Sequence, residues 1–390
     1  MNDTVHGEPS HRALLPAGLK DVLPPSAAQE ADRIEQLMAV FAGRGYERVK
    51  PPLIEFEAAL LTGAGASLAA QTFRLMDPVS QHMLAVRPDM TTQVARIATT
   101  RLAGAPRPLR LCYAGQVLRV RGTQMRPERQ FAQAGAELVG SDAADADAEV
   151  AVMALDALEA AGIDGLSLDL NLPPLAGTLA AHLGLDPART PALRAALDRK
   201  DAAAVATLAG PHAGLFRDLL RAAGPADAAM ARLRALDLPP PARADIDRLD
   251  AVQSAIRAAR PEATVTLDPV EHRGFEYQTG VSFALYAQGV RGELGRGGRY
   301  TANGSANAAG EPATGFTLFM DTIMRAVPAL ATPARVYLPH GTEAATAARL
   351  RRDGWITLAG LAPVDDAQGE ARRLHCGYCL DAGRVVAVTG

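Results

Sequence analysis

The chain has 390 residues, of which 48% are hydrophobic and 21% charged, and its formal net charge is -3. This length predicts two or three domains with ample hydrophobic core. The near-neutral charge excludes a global attraction to nucleic acid or to an anionic membrane, and no run of the sequence is long and apolar enough to span a bilayer. Because the first residues lack a basic segment followed by an apolar one, we expect a cytoplasmic protein.

The N-terminal part predicts a helix followed by an edge strand. Two adjacent prolines end any preceding helix, and Ser26 is expected to cap a helix over residues 27–43. Residues 45–55 then predict a strand that is interrupted by two further prolines. Since proline cannot donate to a sheet ladder, this strand fits an edge or an interface better than a sheet centre.

A hairpin over residues 71–86, with its turn at Asp77, is predicted next and leads to a helix over residues 92–102. Asp89 and Thr91 fall where the last strand passes into this helix. One interpretation is that they only cap the helix. The other is that Asp89 is a carboxylate at a pocket rim that receives an amine, and the sequence leaves both open.

A second hairpin is predicted from strands over residues 109–114 and 130–139. Its second strand carries two polar residues, Gln133 and Glu137, among apolar ones. The turn region carries four arginines, Arg119, Arg121, Arg126 and Arg129. The planar guanidinium group can bind phosphate or carboxylate in a bidentate manner, which predicts an anion-recognising mouth above a polar pocket. A solvated surface turn is the alternative.

The remaining pattern predicts an α+β fold with three parts. Residues 1–172 and 263–325 are expected to form the core, residues 173–262 a helical insertion, and residues 326–390 a small α/β domain that follows a linker at 326–333. The other predicted elements are a helix over 143–162, strands over 166–172, 264–268 and 281–287, a glycine-rich turn over 292–300, and a helix over 313–325.

The sequence contains three cysteines. Cys112 lies in a predicted strand and is expected in the core. Cys376 and Cys379 form a CxxC pair, but the sequence offers no second pair or histidine motif to complete a zinc site, nor a thioredoxin-like context. We therefore expect two reduced thiols, no metal site and no cofactor.

Five motifs, taken together and in order, resemble histidyl-tRNA synthetase, a class II aminoacyl-tRNA synthetase. Residues 45–52 resemble the strand of motif 1, residues 118–131 resemble motif 2, residues 87–91 resemble an amino-acid-binding motif with Asp89 in place of Glu, and residues 272–277 and 297–300 resemble two histidine-specific motifs. The resemblance covers about residues 15–325. It implies an antiparallel sheet flanked by helices and a homodimer formed through the Gly45–Ile54 strand.

The same resemblance implies roles for the pocket residues. Asp89 and Thr91 would hold an α-amino group, with Gln133 and Glu137 lining the pocket. Arg273 would meet a carboxylate or the reacting centre, and Tyr277 and Tyr300 would wall an imidazole site. The second of two adjacent tyrosines in the synthetase is replaced here by Gln278.

Two departures from the synthetase pattern concern its ATP site. The motif 2 Glu that is directed at adenine is replaced by Arg121, and the motif 3 Arg that binds phosphates is replaced by Thr322. Since electrostatic stabilisation is usually the largest catalytic contribution, such a site should adenylate poorly. The C-terminal tail is also short for an anticodon-binding domain and lacks an evident basic face, so tRNA is not an expected partner.

A synthetase-like chain without these groups is similar to the ATP phosphoribosyltransferase regulatory subunit family. That resemblance implies a non-catalytic chain that pairs with a short catalytic subunit in the first step of histidine biosynthesis, in a hetero-oligomer inhibited by histidine. An active histidyl-tRNA synthetase, and another synthetase-like paralogue such as an amino-acid ligase or a binding module, are the alternatives.

Overall fold

The chain forms two compact units, Met1–Pro328 and Ala329–Gly390. Their border lies within the segment 326–333 that the sequence predicted as a linker. The two predicted ends of the helical insertion, at residues 173 and 262, both fall inside the first unit. A separate domain over residues 173–262 therefore stays a prediction. The computed structural model describes residues 15–61, 63–123, 126–272, 277–303, 310–328 and 334–389.

The strands of the first unit are β1 Glu47–Arg48, β2 Ile54–Phe56, β3 Arg74–Met76, β4 Met83–Val86, β5 Leu109–Leu118, β6 Gln130–Val139, β7 Leu166–Asn171, β8 Gly224–Pro225, β9 Thr264–Asp268, β10 Ser282–Ala287, β11 Gly295–Ala302 and β12 Glu311–Phe319. They form a nine-stranded sheet of order β1-β5-β6-β12-β11-β10-β7-β9-β8 and a three-stranded sheet of order β2-β4-β3. The strands from β5 to β7 in the large sheet pair antiparallel, whereas β1 and β9 pair parallel with β5 and β7. The predicted antiparallel sheet is therefore confirmed, with parallel additions towards both edges.

The helices of this unit are α1 Ser26–Gly43, α2 Glu57–Leu60, α3 Thr91–Arg96, α4 Ala144–Ala160, α5 Leu175–His182, α6 Thr190–Asp198, α7 Ala202–Ala209, α8 Ala213–Ala222, α9 Ala226–Ala235, α10 Pro240–Ala259 and α11 Met320–Ala326. Shorter 3₁₀ or π-helical turns cover Gly63–Gln71, Ile97–Arg101 and Gly210–His212. The helices α5 to α10 all fall within residues 173–262, as the helical prediction for this segment requires.

The side chains of β6 alternate between the two faces of the sheet, so that one face packs into the main hydrophobic core and the other carries polar residues. Residues such as Ala134 and Leu138 point to the main core, where Phe41 of α1 meets Phe316 of β12 edge to face. The odd-numbered residues of β6 point to the opposite face, which carries Phe131, Gln133 and Glu137. Because side chains alternate across a strand, the two polar residues noted in the sequence share one face of the sheet.

The predicted helix over residues 313–325 is wrong in its first half. Residues up to Phe319 form β12, which pairs with β6 on one side and β11 on the other. Phe316 and Leu318 enter the main core, while Ala313 and Phe319 enter the core on the opposite face. This period of two belongs to a strand. Likewise the predicted glycine-rich turn over 292–300 is largely strand β11.

The predicted edge strand over 45–55 is shorter than expected. Only Glu47–Arg48 joins the large sheet, at its edge as predicted, and Ile54–Phe56 belongs to the small sheet. The prolines between them cannot donate to a ladder. Helix α1 begins at Ser26 with Pro25 in the capping position, so the predicted cap is one residue off.

The second unit has strands β13 Arg335–Leu338, β14 Ile356–Ala359, β15 Tyr378–Asp381 and β16 Arg384–Ala387, with helices α12 Ala344–Arg352 and α13 Ala367–Arg373. Its sheet has the order β14-β13-β15-β16 and is parallel except for the last pair, which confirms the predicted α/β tail. Cys376 and Cys379 are buried free thiols, and Cys112 is a buried free thiol of the first unit. In the described parts of the chain, no helix combines the length and apolarity needed to cross a membrane.

Candidate functional site

A cavity of about 870 Å³ opens on the face of the large sheet that carries Glu137. Its walls come from the start of α3, from the arginine-rich turn after β5, and from strands β6, β10, β11 and β12. This volume is in the usual range for small-molecule sites, roughly 300–1,000 Å³. The predicted polar pocket is therefore a real cavity of the fold.

Glu137 is almost fully buried in the cavity wall. Its carboxyl group accepts hydrogen bonds from the hydroxyl groups of Tyr300 at 2.9 Å and Tyr113 at 3.3 Å. Gly315 on the neighbouring strand makes room for it, since a Cβ atom there would lie 1.9 Å from Oε2 of Glu137. Burial disfavours the charged form and raises the pKa of Glu137 to about 8. The cavity thus contains a carboxyl group that is largely protonated at neutral pH.

Asp89 accepts a hydrogen bond from the first turn of α3 and also lines the cavity. Its Oδ1 atom accepts a hydrogen bond from the backbone N–H of Thr91 at 2.9 Å, at the start of α3. Its Oδ2 atom accepts one from the side-chain amide of Gln133 at 3.0 Å. Capping and pocket lining are therefore compatible, because the two oxygens of one carboxylate point in different directions. Within the described residues, Oε1 of Gln133 is buried without a hydrogen-bond partner.

Tyr277 and Tyr300 both line the cavity and pack edge to face. Their ring centroids lie 6.1 Å apart with an interplanar angle of 76°. Gln278 also lines the cavity, and its Oε1 atom is a buried acceptor to which no donor in the described parts of the chain is bonded. Arg273 lies outside the described residues.

The predicted arginine mouth divides into two groups. Arg119 and Arg121 line the cavity. The guanidinium group of Arg119 donates from Nε to the carbonyl of Pro88 at 3.2 Å and lies 5.2 Å from the ring centroid of Phe131. Across the part of the chain that the structure describes, no carboxylate forms an ion pair with Arg119. Its guanidinium group is therefore a candidate for binding an anionic ligand.

Arg129 points away from the cavity. It donates from Nε to the carbonyl of Arg119 at 3.3 Å and from Nη1 to the carbonyl of Ala17 at 3.1 Å. Its guanidinium group also lies 5.1 Å from the ring of Phe73. The side chain of Arg129 therefore does not line the cavity with Arg119 and Arg121, and its contacts tie the hairpin to the N-terminal segment.

Arg126 lines the cavity, but its charge is already paired. Its Nε donates to Oδ2 of Asp321 at 2.8 Å, and both side chains are nearly buried. The guanidinium group lies 3.8 Å from the ring centroid of Phe319 and 5.0 Å from that of Phe131. It thus fills space between two aromatic rings that a planar ligand could otherwise contact.

Tyr113 and Thr317 belong to the site although the sequence did not single them out. The hydroxyl of Tyr113 lies 2.8 Å from Oγ1 of Thr317 and 3.3 Å from Oγ1 of Thr91. The signal in the sequence is Gly135, which is directly opposite Tyr113 in the β5–β6 register. A Cβ atom there would lie 2.5 Å from the tyrosine hydroxyl.

The described residues contain no group of three His, Cys, Asp or Glu side chains placed to hold a metal ion.

Comparison with known proteins agrees with this geometry. The family model described as Histidyl-tRNA synthetase matches residues 18–323. An ATP phosphoribosyltransferase regulatory subunit of Rhodospirillum centenum is 57% identical over 96% of this chain and 96% of its own length. One of Thiobacillus denitrificans is 38% identical over 78% of this chain and 95% of its own length.

Solved structures show the same fold. A chain from Bacillus halodurans, described as an ATP phosphoribosyltransferase regulatory subunit/histidyl-tRNA synthetase, superposes with a TM-score of 0.81 and 25% identity, covering 93% of this chain and 96% of its own. A histidyl-tRNA synthetase from Nostoc superposes with a TM-score of 0.79 and 17% identity, over 95% of this chain and 91% of its own. The class II synthetase-like fold expected from the motifs is thereby confirmed.

Proposed function

The chain belongs to the family of ATP phosphoribosyltransferase regulatory subunits, and from this membership we propose that it works with a short catalytic subunit in the first step of histidine biosynthesis. Its role there is regulatory, and the partner performs the chemistry. We expect the two chains to form a hetero-oligomer in the cytoplasm and to respond to histidine.

One observation supports this proposal beyond the family name: Asp89 and Glu137 line the cavity, whereas two groups that the synthetase motifs use for ATP are replaced there. We call the part of the cavity around Asp89 and Glu137 the amino-acid end. Arg121 and Thr322, which also line the cavity, stand where the synthetase motifs have a carboxylate and a cation. A site that binds an amino acid without activating it suits a sensor, because specificity depends on the groups of the site and not on the fold.

We infer that the ligand of the amino-acid end is free histidine. Its ammonium group would lie near Asp89 and Gln133, and its carboxylate near Arg119. Glu137 and the two tyrosines would enclose the imidazole, which can exchange a proton or share a hydrogen bond with a carboxyl group whose pKa is about 8. Gln278 supplies a further acceptor.

The small sheet supports a homodimer in which a second copy covers the β2-β4-β3 surface. Large apolar side chains on and beside this sheet are exposed, namely Leu53, Ile54, Phe56, Leu75, Met76, Val79 and Met83. Contiguous exposed apolar patches commonly mark protein interfaces. The surface includes the end of the Gly45–Ile54 segment that was predicted to mediate dimerisation.

Two assays with the purified chain test this function against the alternatives. Co-elution with a short ATP phosphoribosyltransferase from the same organism in gel filtration is the expected result. Histidine-dependent exchange of pyrophosphate into ATP should stay at background. Rapid exchange would instead identify an active synthetase, and absence of both complex formation and exchange would favour another synthetase-like paralogue.

A further inference from the structure

The helical segment that carries α5 to α10 contacts the residues that follow β9, next to the cavity wall. Asp198, the last residue of α6, accepts a hydrogen bond at Oδ1 from the backbone N–H of His272 at 2.7 Å. The two residues are 74 positions apart in the chain. A charged acceptor on a backbone N–H makes one of the stronger hydrogen bonds in proteins. The bond therefore fixes the backbone of His272 against the end of α6.

A second contact lies two residues further along the same helical segment. Lys200 forms an ion pair with Asp268 at the end of β9. The other oxygen of Asp268 accepts a hydrogen bond from the backbone N–H of Val270 at 3.2 Å, and Val270 is buried in the main core. The chain between β9 and His272 is thus held from both ends by residues of the helical segment.

Glu271 lies within this held stretch and lines the large cavity. The next residue, His272, borders a second cavity of about 520 Å³ between α5 and α6. Consecutive residues therefore face two different cavities, one on each side of the same backbone. A displacement of this backbone by the helical segment must move a side chain in the wall of the large cavity.

The charge of Glu271 is also set from the helical segment. The pKa of Glu271 is raised to about 7, first by burial and then by the nearby carboxylates of Asp169 and Asp268. Two residues of the helical segment also act on it: the cation of Lys200 lowers the pKa, and the carboxylate of Asp198 raises it. These groups come from β7, from β9 and from both ends of the α6–α7 connection, and Tyr286 of β10 faces Glu271 as well. At neutral pH, Glu271 is therefore poised between its two charge states.

We propose that Asp198 and Lys200 are positioning residues through which the helical segment fixes Glu271 in the cavity wall and so sets the affinity of the cavity for its ligand. This inference rests on the proposed histidine site. The helical segment would thus take part in ligand recognition without touching the ligand. Asp198 and Lys200 act through the backbone of residues 268–272 and through their charges, and the sequence of the segment does not indicate this role.

Calorimetric titration of the full chain with histidine tests the geometric part. Asp198→Ala removes the acceptor and should weaken histidine binding about tenfold, as expected for the loss of a hydrogen bond to a charged group. Asp198→Asn keeps an oxygen acceptor for the N–H of His272 and should stay close to the wild type. Asp201→Ala is the matched control, because Asp201 caps α7 through the N–H of Ala204 and has no bond to residues 271–272.

A pH series tests the electrostatic part with a readout that a purely structural role would not move. The contribution of Glu271 to histidine affinity is the difference between the affinities of the wild type and of Glu271→Gln, measured from pH 5.5 to 8.5. The pH midpoint of this difference should move to lower pH in Asp198→Asn, which loses a carboxylate. It should move to higher pH in Lys200→Met, which loses a cation. Glu271→Gln should abolish both shifts.

The outcomes separate this inference from the function on which it rests. If the wild type does not bind histidine, the proposed amino-acid site fails, and this inference fails with it. If the wild type binds histidine but Asp198→Ala binds it equally well, or the two midpoints do not move in opposite directions, only the present inference is overturned. Hydrogen exchange of the peptide containing His272 should be faster in Asp198→Ala, and unchanged exchange would also contradict it.

Discussion

At the scale of single residues, the cavity depends on side chains whose ordinary behaviour is changed by burial. Glu137 is enclosed by Tyr113 and Tyr300 and keeps its proton far above the usual pH range of a glutamate. Arg119 donates to a backbone carbonyl and lies beside a ring face; burial lowers its pKa, while the carboxylates of Asp89 and Glu293 act in the opposite direction. Carboxyl groups and a guanidinium group in one cavity match an amino acid better than they match a nucleotide.

The raised pKa of Glu137 predicts a pH-dependent stability. The folded state favours the protonated carboxyl group, so its stabilising effect is complete below about pH 4.5 and is lost as pH rises through about 8. The loss should be at most ~1.4 kcal/mol per pH unit over this range. Thermal unfolding from pH 5 to 8.5 should therefore show a smaller decrease of Tm in Glu137→Gln than in the wild type. Parallel curves for the two proteins would contradict the assignment.

Arg119 and Arg129 provide a matched pair for the anion site. Arg119→Ala should weaken histidine binding by roughly 1.5–3 kcal/mol, the range for hydrogen bonds to charged groups. Arg129→Ala removes the same type of charge from the same hairpin but faces the N-terminal segment, so it should leave the affinity nearly unchanged. Calorimetry with histidine measures both, and equal losses would show that the hairpin acts only through its overall charge or folding.

The sequence predicted much of this site, but not all of it. Asp89, Thr91, Glu137, Tyr277 and Tyr300 come together in one wall because strand alternation and motif order are visible in the sequence. Two features were hidden. The charge of Arg126 is neutralised by a residue 195 positions away, and Arg129 turns outwards to bond a backbone carbonyl. Such long-range pairings are decided by tertiary packing and leave no local pattern.

At the scale of elements, the same contrast between local patterns and long-range pairing separates the β5–β6 hairpin, which was predicted, from strand β12, which was missed. The β5–β6 hairpin has strong alternation and turn residues at its ends, and it was predicted with the correct second strand. Strand β12 was mistaken for a helix because Gly315 and neighbouring apolar residues give a short run without a clear period. Its place between β6 and β11 is specified by long-range pairing, which local sequence cannot report.

The exposed apolar surface of the β2-β4-β3 sheet predicts the effect of one charge. Phe56→Glu should convert a dimer into a monomer at micromolar concentration, because a carboxylate would be buried in an apolar interface without a partner. Light scattering coupled to gel filtration measures the mass. Leu361→Glu is the control, since Leu361 is 94% exposed on the second unit and lies outside the proposed interface. A monomeric wild type, or a variant that stays dimeric, would contradict the proposed interface.

At the scale of the whole molecule, a synthetase-like unit is combined with a small α/β unit. The family model covers only residues within the first unit, and the cavity lies there as well. We therefore propose that histidine binding requires only the first unit.

This assignment predicts the behaviour of a truncated chain that ends at Pro328. It should fold and bind histidine with the affinity of the full chain, because every residue assigned to the cavity is retained. Calorimetry and gel filtration of the truncated chain measure these properties. Loss of histidine binding in a folded truncated chain would show that the second unit contributes to the site.

The most direct test of the central claim is the rate of phosphoribosyl-ATP formation by a short catalytic subunit, measured with and without this chain while histidine is titrated. We predict that the chain increases the rate and makes it sensitive to histidine, and that Arg119→Ala weakens the sensitivity while keeping the activation. A rate that is unaffected by the chain at every histidine concentration, with both proteins folded, would contradict the regulatory function.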